Sequence, residues 1–329
     1  MIDTIKIYLH PDLISSYFKT IGINKIKNKK RIINENSEVY ESGKYKNLHV
    51  SYSFKGLYID GSLAKFMYGT NQMTLNEDSF IKVIDKISTE LGLPLTEGKV
   101  IRVDIGENII TKEPENHYYK VMGEAVHFTR IKCSNGLEYR SSNRCVSVYN
   151  KIRELKIKQE PVIPVFTDRN VLRYEYRLLN HETIAKFLKK EQVTAADIVQ
   201  NYQKFITEWE KIFGTIYKNN DLLTFSSNVF KEKKGFEKQI TILGVKSMGG
   251  LQTVIDTIKE ARKDKFFPYS NSATNLIARF KELMQSPILT EKSTLATELT
   301  GKIRLIGFLS SNANADFMAT DLLSDITKS

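Results

Sequence analysis

A tyrosine and a lysine stand at the end of an alternating segment that spans residues 144–151. Val146 and Val148 predict a strand with one apolar face, and Tyr149 and Lys151 then share its polar face. A free tyrosine has a pKa of about 10, so attack on a phosphate requires loss of its proton. A neighbouring cation favours the phenolate. The segment therefore predicts a tyrosine nucleophile that acts on a phosphate.

Two carboxylates lie on the polar faces of further predicted strands, Asp104 on one and Glu175 on another. Carboxylate oxygens are the ligands that Mg²⁺ and Mn²⁺ prefer, and such an ion would neutralise charge in phosphoryl transfer. Three arginines on the same faces could hold phosphate oxygens through paired hydrogen bonds: Arg102, Arg173 and Arg177. Strand parity also brings His49 and Asp60 toward this face.

The same pattern is typical of a sheet face whose charges neutralise one another. Arg173, Glu175 and Arg177 alternate along one strand, and the pattern by itself favours this structural explanation over catalysis. Other chemistries have less support. The five histidines are scattered, and the sequence contains no Gly-rich loop ending in Lys-Ser or Lys-Thr, which argues against an ATPase.

The predicted elements alternate between strands and helices in the first two thirds of the chain. Expected strands and hairpins cover residues 1–9, 49–60, 99–105, 137–149 and 171–178, with helices over 76–91, 251–263 and 271–284. This order predicts an α+β fold: a mainly antiparallel central sheet with covering helices, followed by a mostly helical C-terminal part. Residues 244–250 are expected to form a turn before a helix, and residues 310–329 to be frayed.

The 329 residues carry a formal net charge of +11, which favours polyanionic partners and above all nucleic acid. A lysine-rich composition also arises without any such partner. The basic run from Lys25 to Arg31 is expected in a loop or at a sheet edge, as a solvated face or a phosphate contact. With two cysteines, no signal peptide and no apolar run of membrane length, the chain is expected in the cytoplasm.

Five short motifs occur in a fixed order: Met1-Ile2-Asp3, Ser62-x-Ala64-Lys65-x-x-x-Gly69-x-Asn71, Arg102-x-Asp104, Tyr149-x-Lys151-x-x-Glu154-Leu155, and Arg173-x-Glu175-x-Arg177. Together, over about residues 1–190, they resemble the rolling-circle replication initiators of filamentous phages, the phage/plasmid replication protein II/X family. The hairpin 137–151 and the strand 172–177 are also similar to plasmid initiators of the Rep_trans type.

The resemblance implies an origin-specific DNA nickase of phage or plasmid origin. Its tyrosine, Tyr149 here, would attack one strand, remain joined to the 5′ phosphate and free a 3′-OH primer, before the displaced strand is rejoined. Lys151 would support the phenolate or the phosphate, and Asp104 and Glu175 would bind Mg²⁺ or Mn²⁺. DNA phosphates would be held by five basic residues: Arg102, Arg173, Arg177, Lys65 and Arg144. Many rolling-circle nucleases hold metal with a histidine pair, which this sequence lacks.

The resulting expectation is a catalytic nicking and joining domain at 1–190 and a helical region at 191–329 that binds the origin. Helix 251–263 would either read a major groove or simply pack within a helical subdomain. Expected partners are double-stranded and single-stranded origin DNA, host helicase and polymerase in the bacterial cytoplasm, and a second copy of the chain, but no membrane. Two alternatives remain open: a non-catalytic, sequence-specific DNA-binding regulator, and a mobilisation relaxase.

Overall fold

The computed structural model describes residues 1–33, 35, 39–219, 223–225, 228–269, 271–285, 290–292 and 294–311. The chain divides into two compact units, Met1–Asn219 with Leu295–Ser329, and Asn220–Thr294. Residues 312–329, most of the segment expected to be frayed, lie outside the described residues.

Within the described residues, the first unit is built on an antiparallel sheet of ten strands in the order β2-β3-β4-β5-β1-β6-β11-β10-β9-β8. Its strands are β1 (Ile2–Leu9), β2 (Lys27–Ile33), β3 (Val39–Tyr45), β4 (Leu48–Ser53), β5 (Gly56–Ser62), β6 (Lys99–Thr111), β8 (Thr129–Cys133), β9 (Gly136–Arg140), β10 (Arg144–Asn150) and β11 (Asn170–Leu178). A separate pair joins β7 (Met122–Ala125) to β12 (Ile216–Lys218). The prediction of a mainly antiparallel α+β fold is confirmed.

Helices of the first unit precede, follow and connect these strands: α1 (Ser16–Thr20), α2 (Leu63–Tyr68), α3 (Glu77–Leu91), α4 (Glu115–Val121), α5 (Lys151–Ile157), α6 (His181–Leu188), α7 (Ala195–Gln200), α8 (Tyr202–Thr215) and α13 (Leu295–Ser311). The predicted helix over 76–91 is confirmed as α3. The Asn76 side chain caps this helix by accepting a hydrogen bond from the Ser79 amide. None of the described helices is long and apolar enough to cross a membrane.

One face of the sheet is apolar and is covered by helices. Tyr174 on β11 lies on this face, and its hydroxyl donates to the Trp209 carbonyl of α8 at 3.0 Å. The two rings lie 4.9 Å apart between centroids, and both side chains are fully buried. Because side chains alternate along a strand, the charged residues on either side of Tyr174 must point to the opposite face. The aromatic core thus fixes which face carries the polar residues.

The predicted hairpin 137–149 is confirmed as β9 and β10, with Tyr149 directly opposite Gly136. A Cβ atom at Gly136 would lie 2.0 Å from the Val148 carbonyl oxygen of β10. Any side chain at this position would clash with β10, so the position requires glycine. The strand ends at Asn150, whose side chain caps α5. Lys151 is therefore the first residue of a helix, and strand alternation does not determine its direction.

The second unit contains α9 (Asn228–Lys231), α10 (Gly235–Ser247), α11 (Leu251–Lys263) and α12 (Ser272–Met284), together with paired strands β13 (Leu223–Phe225) and β14 (Thr290–Lys292). Val245, Val254, Ile258 and Ala273 form its apolar core. The predicted helices at 251–263 and 271–284 are confirmed. The predicted turn at 244–250 is shorter than expected, because α10 continues to Ser247.

Residues beyond 190 contribute to both units. Helices α7, α8 and α13 belong to the unit that holds the sheet, and residues 220–294 form the other unit. The expectation that catalysis resides in 1–190 and origin binding in 191–329 concerns function, and it stays a prediction.

Candidate functional site

The polar face of the sheet carries a cavity of about 430 Å³. Its lining residues come from strands β1, β3, β5, β6, β10 and β11, from the turn after β3, and from α2, α5 and the segments that follow these two helices. Tyr149, Asp104 and Glu175 all line this cavity. Strand alternation predicts that these three residues share one face, and the structure brings them together.

Strand register explains why these residues meet. Tyr149 on β10 lies directly opposite Arg173 on β11, and Arg177 lies opposite Asp104 on β6. Directly opposed residues in an antiparallel pair point to the same face. The Tyr149 hydroxyl donates to Glu175 Oε1 at 3.0 Å, on the neighbouring strand. The tyrosine is thus in direct contact with one of the predicted metal ligands.

Arg173 is the buried centre of the site, with a fully inaccessible side chain. Its Nε donates to Glu175 Oε1 at 2.5 Å, and its Nη2 donates to Asp3 Oδ2 at 2.7 Å. Its Nη1 donates to Asn108 Oδ1 at 3.1 Å. A charge without water is stable only when hydrogen bonds and opposite charge surround it, as they do here. Arg173 therefore fixes two carboxylates rather than being available to bind a phosphate in this arrangement.

Asp3 reaches the site because the pairing of β1 with β6 shifts register between Ile2 and Thr4. Such an irregularity re-aims a side chain that regular alternation would direct elsewhere. Ser62 Oγ donates to Asp3 Oδ1 at 2.5 Å, which holds the carboxylate in place. Alternation alone could not reveal Asp3 as a site residue. Its place in the first family motif was the available signal.

Gly106 is a second site residue that the sequence pattern does not indicate. It lies opposite Glu175 in the register of β6 and β11. A Cβ atom at this position would lie 2.8 Å from Glu175 Cγ and 3.1 Å from Arg173 Nη2. The absence of a side chain at Gly106 therefore leaves the space that the buried ion pair occupies.

Asp104 is held from two sides by arginines. Arg102 donates to its two carboxylate oxygens at 2.8 Å and 2.6 Å. Arg177 lies between the two predicted metal ligands, with Nε 3.7 Å from Asp104 Oδ2 and Nη2 2.5 Å from Glu175 Oε2. Burial raises the pKa of Asp104 to about 6, although Arg102 acts to lower it. Burial also acts to raise the pKa of Glu175, but Arg173 and Arg177 outweigh it and lower that pKa.

Tyr149 is held as a neutral phenol. Burial raises its pKa, and the negative charge of Glu175 raises it further. Arg173 acts in the opposite direction but does not reverse the shift. The resting arrangement thus favours a hydrogen-bonded tyrosine over a phenolate.

Lys151 is fully buried beside the cavity. Its ammonium donates to Asn71 Oδ1 at 2.9 Å and to Glu154 Oε2 at 2.7 Å. Burial lowers its pKa, and the nearby charge of Arg173 lowers it further. In this arrangement Lys151 connects α5 to the segment that follows α2. Its predicted role toward the phenolate or phosphate stays a prediction.

The remaining predicted phosphate ligands occupy different places. Lys65 lines the cavity and forms an ion pair with Glu160. Arg144 is at the start of β10, at even spacing from Val146, so it points to the aromatic face of the sheet. Its guanidinium lies 5.1 Å from the centroid of the Phe128 ring. Arg144 therefore does not line the cavity.

The fold and the site define an α+β protein whose antiparallel sheet carries a buried network of carboxylates, arginines and one tyrosine. The model of a family of phage replication-associated proteins, built on their N-terminal domain, matches residues 1–210, more than half of the chain. The chain belongs to this family of filamentous phage replication proteins, and the family predicted from the five motifs is confirmed. No curated protein matches the chain.

Proposed function

We propose that this protein initiates rolling-circle replication by nicking one DNA strand at an origin, with Tyr149 as the nucleophile. Membership of a phage replication family supports a role at an origin. The observation that carries the catalytic part is the contact of the Tyr149 hydroxyl with Glu175 in a cavity that Asp104 also lines. A phenol that contacts one carboxylate, in a cavity that also holds a second carboxylate and several arginines, is suited to phosphoryl transfer.

In the proposed reaction the Tyr149 oxygen forms a bond to phosphorus while the bond from phosphorus to the 3′ oxygen breaks. The phenolic proton passes to Glu175, which already accepts its hydrogen bond. Glu175 then returns this proton, directly or through water, to the 3′ oxygen, which leaves as a hydroxyl. Before DNA binds, the lowered pKa of Glu175 makes this carboxylate a weak base, which opposes transfer of the phenolic proton. A DNA phosphate would compete for the hydrogen bonds of Arg177, and Glu175 would then become a stronger base.

We further propose that Mg²⁺ or Mn²⁺ joins the site when DNA is bound. Asp104 and Glu175 supply the oxygen ligands that these ions prefer. Among the described residues, no three or more His, Cys, Asp or Glu side chains form a metal-binding group. A two-carboxylate site would therefore take further ligands from the DNA phosphate and water, as Mg²⁺ commonly does. The ion would polarise the phosphoryl oxygen and offset developing negative charge.

The covalent intermediate explains how one site performs two reactions. The 5′-phosphotyrosine conserves the energy of the broken bond, so a later 3′-OH can attack it and release Tyr149. In the proposed cycle, host helicase opens the duplex and host polymerase extends the first 3′-OH. Double-stranded and single-stranded origin DNA are the substrates, and a homodimer could supply the second tyrosine.

The test is to incubate the protein with supercoiled origin plasmid and Mg²⁺ or Mn²⁺. We expect nicked circles that carry covalently bound protein. Tyr149→Phe should abolish both products, whereas Tyr217→Phe, a matched change at an exposed tyrosine, should leave them unchanged. Equal nicking by Tyr149→Phe would show that another residue is the nucleophile.

The alternative is a non-catalytic DNA-binding regulator with the same fold. The complete pairing of Asp104 and Glu175 with arginines favours this alternative, because such a network is also typical of a purely structural ion cluster. Origin binding without a nick at any origin tested would support it. A mobilisation relaxase has less support, since the sequence lacks a clustered histidine set.

A further inference from the structure

A row of directly opposed residues crosses six strands on the cavity face of the sheet. Residues that lie directly opposite each other in antiparallel strands share a face. From the sheet edge inward, the row contains Lys27, Lys44, His49, Asp60, Lys6 and Arg102. Lys44 and Arg102 line the cavity. This set, called the basic row, therefore connects the edge of the sheet to the candidate site.

The basic row is accessible to a large ligand. Lys27, Lys44 and His49 are exposed, and the other three members are partly exposed. Four of its members are cations, against the single carboxylate of Asp60, and one of these cations, Arg102, is also paired with Asp104. Neighbouring strands lie about 4.8 Å apart, so the row extends over about 24 Å. That length and sign fit an extended polyanion better than a small anion.

Two tyrosines flank the basic row on the same face. Tyr58 is two residues before Asp60, and Tyr8 is two residues after Lys6, so alternation places both beside the row. Their rings lie 4.9 Å apart, and the Lys6 ammonium is 5.3 Å from the Tyr58 centroid. Tyr58 is 39% exposed. An aromatic surface beside cations is typical of proteins that bind unpaired bases.

Protection of a sheet edge is the simpler explanation for part of this pattern. Lysines on an edge strand such as β2 prevent pairing with other chains, and this accounts for Lys27. It does not account for Lys6 and Arg102, which lie on β1 and β6 in the middle of the sheet. Edge protection also gives no reason for the adjacent tyrosines.

We propose that the basic row binds one unpaired DNA strand and leads it to Tyr149, an inference that rests on the proposed nicking function. The cations would contact successive phosphates, and Tyr58 would stack on a base. A duplex presents no free base faces to Tyr58, so the tyrosine distinguishes single-stranded from double-stranded DNA.

The test measures the salt dependence of binding to a fluorescent single-stranded oligonucleotide, with the full chain carrying Tyr149→Phe to prevent covalent product. For single strands the slope of log K against log salt is about −0.7 per phosphate contact. Adding Lys6→Gln and Lys27→Gln should therefore reduce its magnitude by about 1.4. A matched double variant, Lys204→Gln with Lys211→Gln on α8 at the opposite face, should leave the slope unchanged.

Tyr58→Ala provides the second measurement. It should weaken single-strand binding at least about fivefold, the equivalent of a weak base stack, and leave duplex binding unchanged. An unchanged slope in the Lys6 and Lys27 double variant would overturn the basic row, as would equal effects of Tyr58→Ala on both kinds of DNA. If wild type fails to nick any origin but both effects appear, the nicking function fails and the basic row stands.

Discussion

Replacement of Arg173 by methionine tests whether the buried network is held as the structure indicates. The change leaves Asp3 and Glu175 without their shared cation, and both carboxylates are 5% exposed. Removing one partner of a buried ion pair typically costs about 3–5 kcal/mol. Glu175 retains Arg177 and Asp3 retains Ser62, which argues for the lower half of that range.

The assay is urea unfolding followed by far-UV circular dichroism at pH 7, with the free energy of unfolding extrapolated to water. Arg140→Met is the control: the ion pair of Arg140 with Glu138 is exposed, so its loss should change the free energy of unfolding little. Arg173→Lys should be intermediate, because lysine restores the charge but not the planar fork that serves several acceptors.

A loss of less than about 1 kcal/mol for Arg173→Met would refute this account of the network. A combined variant distinguishes lost attraction from lost packing. Adding Asp3→Asn and Glu175→Gln to Arg173→Met removes the unpaired charges and should recover part of the stability. No recovery would mean that the shape of the arginine side chain, and not its charge, is what the site requires.

Three further outcomes are expected. Gly106→Ala should reduce both stability and nicking, since its Cβ would lie 2.8 Å from Glu175 Cγ; thermal unfolding and the plasmid assay measure these effects. Lys151→Met should cost about 3 kcal/mol of stability by leaving Glu154 with fewer partners, measured by urea unfolding. The pKa of Asp104 is raised to about 6 in the folded protein. The protonated carboxyl therefore stabilises the fold at low pH, and this stability is lost as the pH rises through 6. The stability of wild type relative to Asp104→Asn should therefore fall by about 2 kcal/mol from pH 4 to pH 7.

Strand alternation was sufficient to predict much of the site. It placed Asp104 and Glu175 on one face and Tyr174 on the other, because side-chain direction in a regular strand follows from sequence position alone. The helix over 76–91 was equally predictable, since its capping residue and apolar stripe are local signals. Five ordered motifs then identified the family, which local patterns could not have done.

The rest depended on features that alternation does not contain. Asp3 reaches the site through a register shift between β1 and β6. Gly106 contributes by having no side chain, which leaves room for Glu175 and Arg173. The sequence of residues 151–159 is compatible with a helix or with an extension of the strand, and the structure has a helix that begins at Lys151. Strand alternation therefore could not predict the direction of the Lys151 side chain. The pairing of each carboxylate with a particular arginine is a tertiary property, because residues on three neighbouring strands must meet before any partner is defined.

The charge balance of the cavity offers a reason for so many ion pairs. Among the residues that the structure describes, five carboxylates line it, enough to repel a phosphodiester if they stood alone. Six lysine and arginine side chains of the same described set also line the cavity, and Arg173 and Lys151 lie fully buried beside it. The cations therefore exceed the acids, so DNA can approach while the carboxylates remain in place for chemistry.

On this reasoning, neutralising Arg177 and Lys65 should weaken DNA binding more than neutralising Asp104 and Glu175, since only the first change leaves the lining residues with more acids than cations. The reverse order in a binding titration with Tyr149→Phe protein would contradict it.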